Sequence, residues 1–427
     1  MKNLFILVKV FICILTLIFA RVDILFAGGV DENMNQSAEY TRTLNRNAST
    51  DSADASFYNP AGLVKLGDGS YISVSNQFIL KNYKHEASGA EFKTDYPTLL
   101  FPDIYAVYKK DRWSAFASIT VPGGGGKVDY KDGSSTTLGL RTQIASSLSS
   151  ALGGSTVTNS SMSIMADSYY LAGTLGGAYA VNDMVSLSIG LRYISVTNFT
   201  DGAEAWKQGP AAVPVTVDLE YEEKAQGVGG IIGINISPRK ELNIGMRYET
   251  RTDLNLETSV RKQSVTVNGA ANASLSAALA TNGKKKRNDL PSMLGSGASY
   301  MVSPELRAEV DFNYFFTQQA NADDAKKNYK DSWESGFALE YTVMPKLNVS
   351  AGFLYTVLGA KDANFGPAEN PDIDSWSIAT GVLYKATPDL NVNLGLLKTI
   401  YNEEKTSTNI KLNKDVLDIG LGAQYRF

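Results

Sequence analysis

One cysteine and one histidine occur in the 427 residues. Cys13 falls in the N-terminal apolar stretch, so a disulfide-stapled scaffold and any Cys-based metal or redox site are excluded. Histidine is the most frequent general base. His85 has no Ser-Asp partner in its vicinity and stands at the start of the first long connection, where a solvated loop histidine is expected and a pH-sensitive ligand contact is the alternative. No catalytic residue is therefore assigned, and the chain is not expected to be an enzyme. Long apolar runs are also missing after the N-terminus. A helical span needs about 20 continuous apolar residues, and the mean hydropathy of -0.13 is too polar for a bundle of them.

Charge of one sign is lacking too, since the formal net charge is only -4. Nucleic acid is not an expected partner, because a phosphate-binding footprint is basic and clustered. The one basic run, Lys284 to Arg287, is read as a solvated loop cluster, with lipopolysaccharide phosphate as the other candidate contact. The acidic pairs Glu222-Glu223, Asp323-Asp324 and Glu403-Glu404 lack the twelve-residue calcium pattern. Pro122 to Gly126 lacks the spacing of a phosphate loop. No metal and no cofactor are expected.

What is abundant is alternation with a period of two. In the last thirteen residues, Leu417, Ile419, Leu421, Ala423, Tyr425 and Phe427 alternate with Asp418, Gly420, Gly422, Gln424 and Arg426. Successive strand side chains point to opposite faces, so one face wants hydrocarbon and the other wants water. The pattern recurs in Val185 to Tyr193 and in Leu306 to Tyr314. Strands are predicted at 71–83, 97–109, 112–121, 167–181, 184–199, 225–237, 241–256, 290–302, 305–318, 332–343, 346–359, 374–386, 389–402 and 415–427. The fold class is thus all-β, an antiparallel transmembrane barrel of roughly fourteen strands over 70–427.

Short Asn-, Asp- or Pro-containing turns alternate with long connections at 84–96, 122–166, 200–224, 257–289, 319–331, 360–373 and 403–414. Outer-membrane barrels keep short turns in the periplasm, which predicts a periplasmic position for both ends of the mature chain. Trp113, Tyr193, Tyr248, Trp333, Tyr341 and Trp376 are candidate girdle aromatics. Residues 1–27 read as a secretory signal peptide cleaved after Ala27, with Ala20 as the alternative site. Export to the bacterial outer membrane is the expected destination.

Two of the long connections carry helical spacing instead. Leu140, Ile144, Leu148 and Leu152 recur every four residues, as do Leu275 and Leu279. These stripes are candidate ligand-binding faces; packing as caps on the barrel mouth is the alternative.

Residues 28–69 lack the period-two pattern and are rich in Asn, Ser, Ala and Asp. Within them, Ala53 to Leu63, with Asn59-Pro60-Ala61 at its centre, resembles the plug signature of the FadL/TodX family of outer-membrane transporters, and the terminal Phe427 agrees. The resemblance implies an N-terminal plug, or hatch, of short helices and turns in the lumen, with Asn59, Pro60 and Ala61 in plugging and gating. It also implies passive transport of long-chain fatty acids or other hydrophobic small molecules, captured at the extracellular loops and released past the plug through a lateral gap. The family's kink lies in the third strand, and the predicted Trp113–Val121 holds no Gly or Pro, with Pro122 to Gly126 just beyond it. Phe57 and Tyr58 are candidate ligand contacts, with packing against the inner wall as the alternative. Tyr425 and Phe427 are the expected assembly signal, read by the barrel assembly machinery. Other expected partners are outer-membrane lipid and lipopolysaccharide around a monomer. A general porin for small hydrophilic solutes and a structural or adhesive barrel are the rival readings.

Overall fold

The computed structural model describes residues 36–320, 328–361 and 363–427. The expected signal peptide and the Asp323-Asp324 pair lie outside them.

Among these residues fourteen antiparallel crossings close into one barrel. They are β1 (Gly69–Ala87), β2 (Pro102–Lys110), β3 (Trp113–Tyr130), β4 (Val157–Ala180), β5 (Val185–Gln208) and β6 (Val213–Arg239). There follow β7 (Leu242–Glu249, resuming as Asn255–Val267) and β8 (Lys285–Arg287, resuming as Met293–Met301). The circuit ends with β9 (Leu306–Phe315), β10 (Ser332–Met344), β11 (Leu347–Val357), β12 (Ser375–Lys385), β13 (Leu390–Tyr401) and β14 (Lys411–Arg426). Closure comes from β1 pairing with β14, from Tyr71 opposite Arg426 to Glu86 opposite Lys411.

Alternation sets which side chain faces which solvent. On β5 Leu187, Ile189 and Leu191 point outward, while Ser186, Ser188 and Arg192 are buried inside. An outward Leu or Ile placed in hydrocarbon contributes about 1.5–3 kcal/mol relative to water, and the inward polar set then has to be satisfied by the lumen. Trp113, Tyr193, Tyr248 and Tyr341 stand exposed on the outer wall and Trp333 and Trp376 are half-buried there, as suits aromatics at a lipid boundary.

Several strands run far beyond their predicted ends. β4, β5 and β6 have 24, 24 and 27 residues, whereas a tilted crossing needs about 9–11. Much of 122–166, 200–224 and 257–289 is therefore not loop but a wall of long hairpins standing above the membrane. The basic run is part of that wall. Lys285–Arg287 pairs with Asn255–Glu257, Lys285 meets Glu257 at 3.3 Å, Lys286 meets Glu223 at 3.2 Å and Arg287 meets Asp289 at 2.8 Å. Its last three residues form a strand segment with acidic partners rather than a loop cluster, and Lys284 alone stays in the loop, exposed.

Before β1 the chain makes two single-turn helices, α1 (Ala38–Thr41) and α2 (Ala55–Tyr58), and a 3-10 helix at Pro60–Lys65, and packs them inside the barrel. Ser37 caps α1 by accepting from the Tyr40 N–H at 3.1 Å. Pro60 opens the 3-10 helix, where a missing N–H leaves nothing unpaired. Polar groups join this plug to the wall. Arg42 pairs with Glu340. Arg46 binds Asp54 and Asp51, each at 2.7 Å, and Asp51 also binds Arg307 at 2.6 Å. Backbone N–H groups of Arg46 and Asn47 donate to Asp311 at 2.6 and 2.8 Å. The strands leave room for this contact: a Cβ at Gly352 would lie 1.9 Å from the Thr43 carbonyl oxygen, and one at Gly245 would lie 2.0 Å from that of Asn47.

Candidate functional site

The plug signature sits against the opposite wall. Asn59 donates to Asn235 at 2.7 Å and to the Ser49 carbonyl at 3.0 Å, and the Ala61 carbonyl accepts from Ser186 at 2.7 Å. These bonds make Asn59-Pro60-Ala61 an anchor between plug and strands. Phe57 and Tyr58 lie in the plug core. Their rings meet edge to face at 5.0 Å, Tyr58 stacks on Tyr40 at 5.3 Å, and the Arg247 guanidinium lies 5.3 Å from the Phe57 centroid.

The wall is irregular beside the plug, in β3. Its ladder with β2 stops at Ile104 opposite Ile119. On the other edge Thr120 faces Ala172, Gly123 faces Tyr170 and Gly126 faces Ser168, so β3 spends three residues for every two of β4, twice in succession. Each step is a bulge with one extra residue. Gly124 and Gly126 have φ of 80° and 68°, a region that side chains with a Cβ seldom adopt. The third strand thus carries its Gly-rich bend internally; it ends at Tyr130 rather than at Val121.

Two hollows flank this bend inside the barrel. One, on the plug side, is lined by Gln36, Gln77, Phe101, Val121, Gly123 and Val416 among others. The other, on the side of the long hairpins, is lined by Tyr83, Val128, Ile164, Ala166 and Pro367, with Lys81, Asp167, Ser168, Glu369 and Asn370 as polar members. Lys81 connects the two and donates to the carbonyls of Gly125 and Lys127 at 2.6 and 2.8 Å. The two hollows, of about 30 and 60 Å³, set aromatic and aliphatic walls beside a few polar groups.

His85 is not a solvated loop residue. It lies on β1, 1% exposed, with its ring 5.2 Å from Phe92 and 5.3 Å from Tyr130. The strand continues past its expected end because the hairpin to Ala90–Thr94 extends the ladder.

The helical stripes come together. α3 (Ser135–Leu152) carries Leu140, Ile144, Leu148 and Leu152, and α4 (Ala273–Leu279) carries Leu275 and Leu279. All six belong to one apolar cluster with Trp206, Val215, Val217 and Val265 from the raised hairpins. Ile144 and Leu279 are buried, and Leu275 and Leu152 are half-buried at its edge. Sequence reading had no signal for Glu204, on the same inward row of β5 as Trp206. Burial pushes its carboxyl up to about 8, against the pull of Arg141. At the far end, Phe427 stacks edge to face on Tyr425 at 4.8 Å and its N–H donates to the Ser70 carbonyl at 2.8 Å.

A model of the outer membrane protein transport protein family (OMPP1/FadL/TodX) matches residues 23–427. Among solved structures, the Pseudomonas putida toluene transporter TodX is similar with a TM-score of 0.63 at 13% identity, over 93% of this chain and 99% of that one. The Ralstonia pickettii toluene transporter TbuX gives 0.61 at 16% identity over 93% and 99%. A Pseudomonas aeruginosa FadL homologue gives 0.63 at 13% identity over 92% and 98%. No curated protein matches by sequence. At these identities the structural likenesses establish the fold.

Proposed function

Because the chain belongs to the FadL/TodX family of outer-membrane transport proteins, we propose that it admits apolar small molecules, hydrocarbons or long-chain fatty acids, through an opening in the barrel wall at the β3 bend. The bend carries this reading: a Gly-rich double bulge, ending the ladder with β2, lies between two hollows and beside the plug. An alkyl chain gains about 0.8 kcal/mol for each methylene it buries, so a route lined by Tyr83, Val128, Ile164 and Phe101 draws such a molecule inward. In this reading the stripes of α3 and α4 help to capture it, and the bend releases it sideways.

The plug's attachments favour a sideways exit over expulsion of the plug. Expulsion breaks the buried Arg42–Glu340 pair and the partly exposed Asp51–Arg307 pair together. A sideways route leaves both intact. A general porin is disfavoured by the same plug, which fills the lumen that a hydrophilic solute would use.

Each bulge adds one residue to β3, so deleting Gly124 and Gly125 brings β3 back into step with β4. The expected result is loss of toluene and oleate uptake by cells in which the barrel is assembled and heat-modifiable. Unchanged uptake of both by the assembled deletion variant overturns the proposed exit.

A further inference from the structure

The polar groups of the hollow on the side of the long hairpins are mismatched to a fatty acid. Glu369 lines it, is 7% exposed, and has neither carboxylate oxygen hydrogen-bonded. Its backbone is fixed, since its carbonyl accepts from the Tyr130 hydroxyl at 2.9 Å. The connection that bears it is tied down again where the Tyr329 hydroxyl donates to Asp372 at 2.6 Å. Asp167, across the hollow, has an unbonded buried oxygen as well. The ammonium nearest to a clamp, Lys81, donates to the carbonyls of the β3 bend. The Ser168 hydroxyl donates to Asn198 at 2.8 Å.

Apart from the Asn370 amide and the Lys81 ammonium, which is engaged with the bend, what faces the apolar space is acceptor capacity. An ionised carboxylate has only acceptors, a hydroxyl has a donor, and an ammonium has three. A carboxylate brought here meets like charge in a desolvated place, whereas a donor supplies what Glu369 lacks.

Resting on the transport reading above, we propose that this hollow selects apolar molecules carrying a hydrogen-bond donor, a hydroxyl or an amine, that Glu369 is the group that receives the donor, and that carboxylates are discriminated against. Asp167 is the second acceptor across the same space.

The test uses the full-length protein in lipid nanodiscs, with empty nanodiscs as the partition control, and four probes of one shape: toluene, benzyl alcohol, benzylamine and benzoate. Calorimetric titration is expected to give benzyl alcohol or benzylamine at least tenfold tighter binding than benzoate, and the two arms show which donor is preferred. Glu369→Gln should shrink the benzylamine-to-benzoate ratio by about tenfold, as expected when a charge-assisted bond becomes a neutral one. Glu369→Leu should remove the advantage of benzyl alcohol over toluene. Both variants lie in a connection, and heat-modifiable migration reports whether their barrels are intact. Benzoate binding as tightly as the donors, or an unchanged ratio in Glu369→Gln, overturns the proposal. Toluene binding without any donor preference overturns it while leaving the transport reading intact. Failure of all four probes to bind overturns it too, while the toluene and oleate uptake measurement decides the transport reading separately.

Discussion

The Nε2 atom of His85 accepts a hydrogen bond from the backbone N–H of Ser135, at 3.0 Å, and so joins strand β1 to the first turn of helix α3. Because Nε2 accepts, the neutral ring carries its proton on Nδ1. Protonation puts a second N–H against the donor and a positive charge at the positive end of a helix dipole.

That contact predicts a pH response. Burial holds the His85 pKa below its ordinary 6.5, with Glu369 pulling the other way. The groups around the ring are Phe92, Tyr130, Glu369 and the Ser135 N–H. A histidine depressed in the folded state contributes stability that is complete above its unfolded pKa and is lost as pH falls through its folded one. Hydrogen exchange at Ser135 to Leu138, corrected for the intrinsic rate, should therefore speed up as pH drops from 7.5 to 5. In His85→Gln the same amides should show no such acceleration; an equal acceleration there rejects the His85 contact as its cause.

The plug's hold on the wall is testable at Arg42. Arg42→Ala removes one of the two cations on Glu340, which keeps Arg307 at 3.2 Å and Asn348 at 3.1 Å, and leaves Asn393 without the Arg42 donor at 3.0 Å. Cells carrying the variant should become permeable to small hydrophilic antibiotics, because the lumen opens when the plug loosens. A wild-type antibiotic profile in the variant contradicts the anchoring role.

Phe427 completes the outward row of β14, where its ring packs on Tyr425. Deleting it, or Phe427→Asp, is expected to lower the amount of barrel in the outer membrane several-fold while leaving uptake per assembled barrel unchanged. Quantitative surface labelling beside uptake separates the two quantities. Full surface levels of the variant would falsify the assembly role.

Much of this architecture was legible because a barrel writes its period directly into the chain. The row Leu187, Ile189, Leu191 against Ser186, Ser188, Arg192 can be satisfied only by lipid outside and polar groups inside. The strand ends were less legible. Val213, Val215, Val217 and Leu219 alternate as well as any crossing, yet a membrane-length limit assigns them to a loop; no bilayer limits a hairpin that stands above it. The β3 bend was hidden for a related reason. Glycines from Gly123 to Gly126 carry no period, so the strand seemed to stop where it bulges. Glu369 and Glu204 gave no sequence signal, since a carboxylate in a polar connection reads as solvated until the chain is seen to fold over it.

The stripes of α3 and α4 supply the last prediction. Ile144 and Leu148 face Leu279, Trp206 and Val217 within one cluster, close to the row that holds Glu204. A lone carboxylate placed there is costly without a partner, and burial nearby already pushes the Glu204 carboxyl up to about 8. Ile144→Asp combined with Leu148→Asp should separate α3 from the hairpins without touching the membrane-spanning ladder. If these faces hold ligand at the mouth, uptake of toluene or oleate falls several-fold while heat-modifiable mobility on gels is retained. If they serve only to cap the hairpins, proteolysis between Ser135 and Leu152 rises and uptake stays at the wild-type rate. Measuring cleavage and uptake on the same cells distinguishes the two, and a correctly assembled barrel with unchanged uptake removes the stripes from the ligand path.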